Sequence, residues 1–299
     1  MSTRAKLAFG IVGALTALVV GAWGWVSHSW NSRRYRSWEV SAPPVEVRYD
    51  AATIARGEHL ALHMLGCAEC HGDDFGGRTF IDDPSGIGVF SGCNLTRGEG
   101  GRGPYLGEED WARAVIRGVG DSHHALVIMP SPDYQDLAAE DLAAVIAYGR
   151  TRPDVDRTIR VAEPTFLGKL LTAVGALPTF PAEENDMDHA LRHGVPTGRT
   201  LEQGAYVANA CIGCHRHDLV GGPFAATPAG CPAPANLTRL DEDGYTEAEF
   251  MRLFREGRAH DGHELHTFMP WEVLGGMTDE ELGALWDYLR QLPPQPTGR

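Results

Sequence analysis

One five-residue string occurs twice, as Cys67-Ala68-Glu69-Cys70-His71 and as Cys211-Ile212-Gly213-Cys214-His215. No other feature constrains the fold as strongly. C-x-x-C-H is the attachment signature of c-type haem. Two thiols three positions apart reach the vinyl groups on one edge of a haem, and the adjacent histidine meets the iron from one face. With six Cys and 13 His in 299 residues, chance gives this string in roughly five of a thousand such chains. A single copy also fits half a zinc site or a redox dithiol. Two copies point to two covalently bound haem c groups. Cys67, Cys70, Cys211 and Cys214 are then the attachment thiols, and His71 and His215 the proximal ligands.

The surroundings of the string repeat as well. Asn94-Leu95-Thr96 returns as Asn236-Leu237-Thr238, and Met129-Pro130 as Met269-Pro270. Trp111 stands seven residues before Gly118, as Phe250 does before Gly257. Asp121 and Asp261 each stand eight residues before their methionine. From the first Cys to the Met there are 62 residues in one copy and 58 in the other. The duplication makes Met129 and Met269 the candidate distal ligands. A thioether is a soft ligand for haem iron, and the proline after it stiffens the loop. His123, His124 and His266 are rival ligands. Helices are expected over Ala51–Leu65, Glu108–Arg117, Ala138–Tyr148 and Gly204–Ala210, with Gly57 allowing a close helix contact. Thr246 with Glu249 fits a capping box. The glycine-rich stretch from Gly72 to Gly101 is expected to be loop.

Leu7 to Val26 is 20 residues without a charge, about 30 Å as a helix and enough to cross a bilayer. A cleaved signal peptide is the competing reading, and would close on small residues in an A-x-A pattern. This stretch ends instead in Trp23 and Trp25, with Trp30 beyond, which fits an interfacial belt and an uncleaved anchor. Basic residues flank both ends almost equally, so they do not set the orientation. The haems do, because they are attached outside the cytoplasm. The expected arrangement is a single-pass helix in the inner (cytoplasmic) membrane, with the haem-bearing bulk in the periplasm.

The chain then divides into an anchor and tether at 1–50 (helix about 7–26), a first haem domain at 51–152, a linker at 153–199 and a second haem domain at 200–299. The linker holds an apolar helix within Pro164–Phe180, too short to span a membrane and expected in the cleft between the domains or against a partner. Net charge is −14 overall, and residues 41–299 carry 21 basic against 39 acidic groups. That balance excludes nucleic acid as a partner.

The two C-x-x-C-H strings, the Asn-Leu-Thr loops, the paired Met-Pro segments and the closing Tyr-x-Arg helices together resemble a diheme cytochrome c. The resemblance covers residues 51–299. It is similar to the membrane-anchored cytochrome c subunits of bacterial alcohol and sugar-acid dehydrogenases, which often carry three haem domains where this chain shows two. The likeness implies an all-α fold, an N-terminal transmembrane helix followed by two tandem cytochrome c domains. It carries His71, Met129, His215 and Met269 over as iron ligands. No dehydrogenase motif is present.

The expected function is therefore electron transfer rather than catalysis. The expected partners are a dehydrogenase, a quinol-oxidising complex, a soluble cytochrome or a terminal oxidase. One alternative is a fixed haem-bearing subunit of a larger respiratory complex. Another is a diheme enzyme of peroxidase or thiosulfate-oxidising type, which needs an open iron position that two matched methionines would fill. Cys93 and Cys231 are left over. In an oxidising compartment a bridge between them would staple the two domains face to face.

Overall fold

The computed structural model describes residues 2–223, 227 and 230–298. It opens with α1 (Thr3–Arg34). Leu7, Phe9, Leu18 and Val19 are exposed along it, so the described residues leave most of its apolar stretch uncovered. The helix runs eight residues past the expected end at Val26. The reason is packing: Val26 and Trp30 are buried, and Arg33 and Arg34 bond to the body of the protein. A stretch rich in serine and arginine reads as tether, but one face of it docks.

Next come α2 (Ala51–His59), a π turn at Leu60–Met64, and α3 (Cys67–His71). The stretch expected as one helix thus changes winding midway. The expected loop after it holds a hairpin, β1 (Arg78–Asp83) and β2 (Gly88–Gly92). After α4 (Glu108–Arg117) and α5 (Ala139–Arg150), β3 (Ala162–Pro164) pairs antiparallel with β2. The all-α expectation is corrected here. The fold is mostly helical with a three-stranded sheet in the order β1-β2-β3. β1 is exposed or half-buried throughout, so no inside–outside alternation marks it, and β3 comes from the linker.

The chain continues with α6 (Phe166–Ala173), α7 (Leu201–Ala208), α8 (Ile212–His215), α9 (Glu247–Glu256), α10 (Trp271–Leu274) and α11 (Asp279–Leu289). The expected capping box is present: Thr246 and Glu249 exchange side-chain-to-backbone bonds at 2.9 and 3.3 Å. Thr278 and Glu281 form another at 2.9 and 3.1 Å. Each satisfies two backbone donors that a helix start leaves free.

Helices α2 and α5 cross closely, and so do α7 and α11. Gly57 makes the first crossing possible: a Cβ there would overlap the Ala144 carbonyl. Gly204 does the same against the Ala284 carbonyl. One continuous core joins both halves, from Leu60, Trp111, Leu142 and Ile146 to Tyr206, Phe250, Leu282 and Leu285. Each such aliphatic side chain contributes about 2 kcal/mol by leaving water. A second, smaller core gathers Trp30, Phe90, Val119, Ala125 and Phe180. It ties the end of α1 to the sheet and the linker. The linker helix α6 therefore packs along α1 and not in the cleft between the halves; Phe166 stacks on Trp23 with ring centroids 4.9 Å apart.

Candidate haem-attachment sites

Each C-x-x-C-H string ends in a histidine whose Nδ1 is engaged. His71 Nδ1 lies 2.9 Å from the Cys93 carbonyl oxygen. His215 Nδ1 lies 2.8 Å from the Ala235 carbonyl oxygen. A carbonyl only accepts, so each Nδ1 carries the proton and each Nε2 keeps its lone pair. Burial pushes both imidazoles below their ordinary pKa, against the opposing carbonyl bonds. Both rings are neutral, which ligation requires.

The backbone that sets these rings is the same twice over. The His71 carbonyl accepts from the Gly77 N–H at 2.8 Å, and the His215 carbonyl from the Gly221 N–H at 3.0 Å. Between them Phe75 and Leu219 both take left-handed φ, 58° and 60°. Their carbonyls accept from Leu95 and Leu237 at 2.8 and 2.9 Å. The Asn-Leu-Thr loops follow. Asn94 Oδ1 accepts from the Thr96 N–H and Oγ1 at 2.9 and 2.8 Å. Asn236 Oδ1 accepts from the Thr238 N–H and Oγ1 at 2.9 and 2.7 Å. The asparagine amides reach the chain beyond the closing helices, Asn94 to the Val155 carbonyl at 2.7 Å and Asn236 to the Gln295 carbonyl at 2.9 Å. Each loop thereby ties the histidine segment to the end of its own half.

The methionines sit in matching turns. The Met129 carbonyl accepts from the Ser131 N–H at 2.8 Å, and the Met269 carbonyl from the Trp271 N–H at 2.7 Å. Pro130 (φ −78°, ψ 48°) and Pro270 (φ −78°, ψ 54°) are the centres of these inverse γ turns. Both methionines pack half-buried on the main core, as Cys67 does. Cys67, Cys70, Cys211 and Cys214 are free thiols. Burial pushes the Cys67 and Cys211 thiols up to about 12 and Cys70 to about 11.

The segments after the methionines cross between the halves. Asp133 lies against Gly213, inside the second string, where a Cβ would strike its carboxylate. Val273 and Gly276 lie against His63, just ahead of the first string, and His63 Nδ1 is 3.2 Å from the Val273 carbonyl. Beside Asp133, Tyr134 stays within the first half and donates to the Leu65 carbonyl at 2.7 Å. The rival ligands also have their Nδ1 atoms bonded. His123 and His124 line the segment after α1, with Nδ1 3.4 Å from the Trp38 carbonyl and 3.3 Å from the Arg36 carbonyl. His266 Nδ1 accepts from the Phe268 N–H at 3.0 Å.

Cys93 and Cys231 are also free thiols, and no bridge joins them. Each belongs to the loop that holds its own half's histidine, the Cys93 carbonyl being the acceptor for His71 itself. Burial pushes the Cys93 thiol up to about 11. The two histidine-holding carbonyls, on Cys93 and Ala235, carry no side-chain signal and are invisible in the sequence.

These donors fit haem c: paired free thiols, an adjacent neutral imidazole with its outer nitrogen open, and a thioether in a stiff turn downstream. Residues 202–293 match the cytochrome c family, so this part of the chain is a cytochrome c domain. The chain is similar to cytochrome c subunits of bacterial dehydrogenases. It is 30% identical over 126 residues to the fructose dehydrogenase cytochrome subunit of Gluconobacter japonicus, a match covering 40% of this chain and 24% of that protein. It is 33% identical over 99 residues to the gluconate 2-dehydrogenase cytochrome c subunit of Pantoea cypripedii, 29% of this chain and 22% of that protein. To the cytochrome c subunit of the alcohol dehydrogenase (quinone) of Gluconobacter oxydans (strain 621H) it is 24% identical over 296 residues, 84% of this chain and 57% of that protein. The chain thus spans less than two thirds of the relatives it matches.

Proposed function

We propose that the chain is a membrane-anchored diheme cytochrome c that relays single electrons as the cytochrome subunit of a periplasmic dehydrogenase. Residues 51–152 form a first cytochrome c domain beside the second at 200–299. The observation that carries this reading is the pair of histidines, His71 and His215, each held by Nδ1 on a backbone carbonyl at 2.9 and 2.8 Å. That bond fixes ring and tautomer, so Nε2 is presented ready for iron.

Cys67 and Cys70 attach one haem, and Cys211 and Cys214 the other. His71 with Met129 would hold one haem iron, and His215 with Met269 the other. A haem so held supplies reversible one-electron chemistry at its iron. The protein's part is positional. The γ turns hold the methionines, and the Asn-Leu-Thr loops hold the histidine segments. With two protein ligands to each iron, substrate would find no open site, which favours electron transfer over peroxide or thiosulfate chemistry. The crossing of Asp133 onto Gly213 and of Gly276 onto His63 sets both attachment segments against one boundary, as a relay needs.

The relatives' printed names, all cytochrome subunits of dehydrogenases, support a catalytic dehydrogenase subunit as donor and a subunit role over a free carrier. Apolar α1 supports an inner-membrane anchor. Its buried Val26 and the stack of Trp23 on Phe166 support an uncleaved one, because cleavage at the end of the apolar stretch would strip those contacts. Electron paramagnetic resonance of the oxidised protein tests the ligation. Two low-spin ferric signals are expected, and a high-spin signal in the resting protein would overturn it.

A further inference from the structure

The linker helix presents apolar side chains that the described residues cover only in part. Phe166, Leu167 and Val174 are 36, 44 and 59% exposed. They stand within Pro164–Phe180, seventeen residues that hold no acid and one base, Lys169, in a chain of net charge −14. A lone apolar face carries no partner by itself. Its position does.

Phe166 stacks on Trp23, the planes 7° apart. Trp23 lies three residues before the end of the uncharged stretch Leu7–Val26, roughly 5 Å inside it at 1.5 Å per residue. The ring of Phe166 is therefore at the depth where a bilayer's acyl region gives way to headgroups. The attachment is firm. Arg33 Nη1 donates to the Thr172 carbonyl at 2.6 Å, and Arg33 Nε bonds both Glu183 oxygens at 2.9 and 3.0 Å. Trp30 packs on Phe180 at 5.1 Å.

The helix also brings few unmet polar groups to that depth. Thr165 caps its start by accepting from the Gly168 N–H at 3.1 Å. Thr172 Oγ1 bonds the Gly168 carbonyl at 2.9 Å and Thr179 Oγ1 at 2.7 Å. The N–H groups of Val174, Gly175, Ala176 and Leu177 all return to carbonyls of the helix, at 2.8–3.2 Å. Backbone closed on itself is what a lipid environment demands.

We propose that α6 meets the membrane interface at its start, with Phe166 and Leu167 in the acyl boundary and Lys169 toward anionic headgroups, while Val174 stands above them beside the Arg33 end of α1. This would seat the protein on the bilayer at two points and fix the orientation of the haem sites above it. It rests on the reading of α1 as an anchor, and the test separates the two.

The full-length protein is reconstituted in nanodiscs of phosphatidylethanolamine and phosphatidylglycerol doped with a phospholipid carrying a diazirine on its acyl chain. After illumination, adducts are mapped by peptide mass spectrometry. Adducts on both 7–26 and 166–176, with the peptide bearing exposed Tyr105 clean, are expected. Adducts on 7–26 with 166–176 as clean as the Tyr105 peptide would overturn the proposal and leave the anchor standing. Adducts on neither would remove the anchor, and the proposal with it.

Discussion

Arg56 reaches Glu281 across the boundary between the halves, its Nη1 3.2 Å from Oε1, while its Nε and Nη2 hold Asp141 at 2.9 and 2.8 Å. Asp141 and Glu281 occupy the same place in the two closing helices α5 and α11. A single guanidinium on α2 thus binds both. Tyr206 of the second half donates to Asp141 at 2.8 Å, and His59 of the first half meets Glu281 at 2.8 Å. The two halves are joined by this polar knot as well as by their shared core.

The knot weakens in acid. Burial pushes the Glu281 carboxyl up, but the bonds from His59 and the Thr278 N–H and the Arg56 charge outweigh it. They hold it at about 2 against an ordinary 4.5. A carboxyl depressed in the folded state adds stability above its ordinary pKa and loses it as pH falls through the folded one. The contribution is full above about pH 4.5 and disappears between there and about 2. Glu281→Gln removes that dependence and costs about 2 kcal/mol at neutral pH. Denaturant melts of both proteins at pH 7 and pH 3 check it: the gap between them should narrow at the lower pH.

The helix crossings depend on two glycines. Gly57→Ala and Gly204→Ala each force a Cβ into a carbonyl of the facing helix. Each should destabilise the protein by about 3 kcal/mol, since neither backbone can shift without opening the core. Ala at Gly10 in α1, where nothing lies near, should have no such effect. Thermal melts of the three variants compare them directly.

The methionines are separable. Met129→His and Met269→His should each lower one midpoint potential and leave the other in place, because a thioether raises the potential relative to a second imidazole. A redox titration followed by absorbance checks both. An unchanged pair of midpoints would remove that methionine from the ligand set.

The end of α1 braces one methionine loop and not the other. Arg34 Nη1 donates to the Ala125 carbonyl at 2.7 Å, and the Trp38 N–H to the His123 carbonyl at 2.9 Å. Both acceptors lie on the loop leading to Met129. Arg34→Ala should therefore shift the midpoint that Met129→His shifts and spare the one that answers to Met269. The same titration reads it.

The geometry of the candidate sites was legible because it is local. Two thiols and an imidazole must stand at fixed spacing to meet one haem, and the repeat of Asn-Leu-Thr and Met-Pro pointed to matching loops and turns. The bounds of α4 and the Thr246–Glu249 box were legible for the same reason, since acids and caps mark helix starts. What was hidden is long-range. β1 has no buried face to give it a period, and β3 is recruited from the linker. The last turns of α1 look like tether until Trp30 meets Phe180. The docking of α6 on Trp23 and the binding of Asp141 and Glu281 by Arg56 join residues more than eighty positions apart. The Cys93–Cys231 bridge was inferred from compartment and likeness of position, and the structure keeps each thiol in its own half.

The central claim is that both strings carry haem. Intact-mass measurement of the full-length protein, made in cells that mature c-type cytochromes, tests it most directly. Two covalently added haems are predicted, falling to one in Cys67→Ala/Cys70→Ala and to one in Cys211→Ala/Cys214→Ala. A single haem on the wild-type chain would contradict the account.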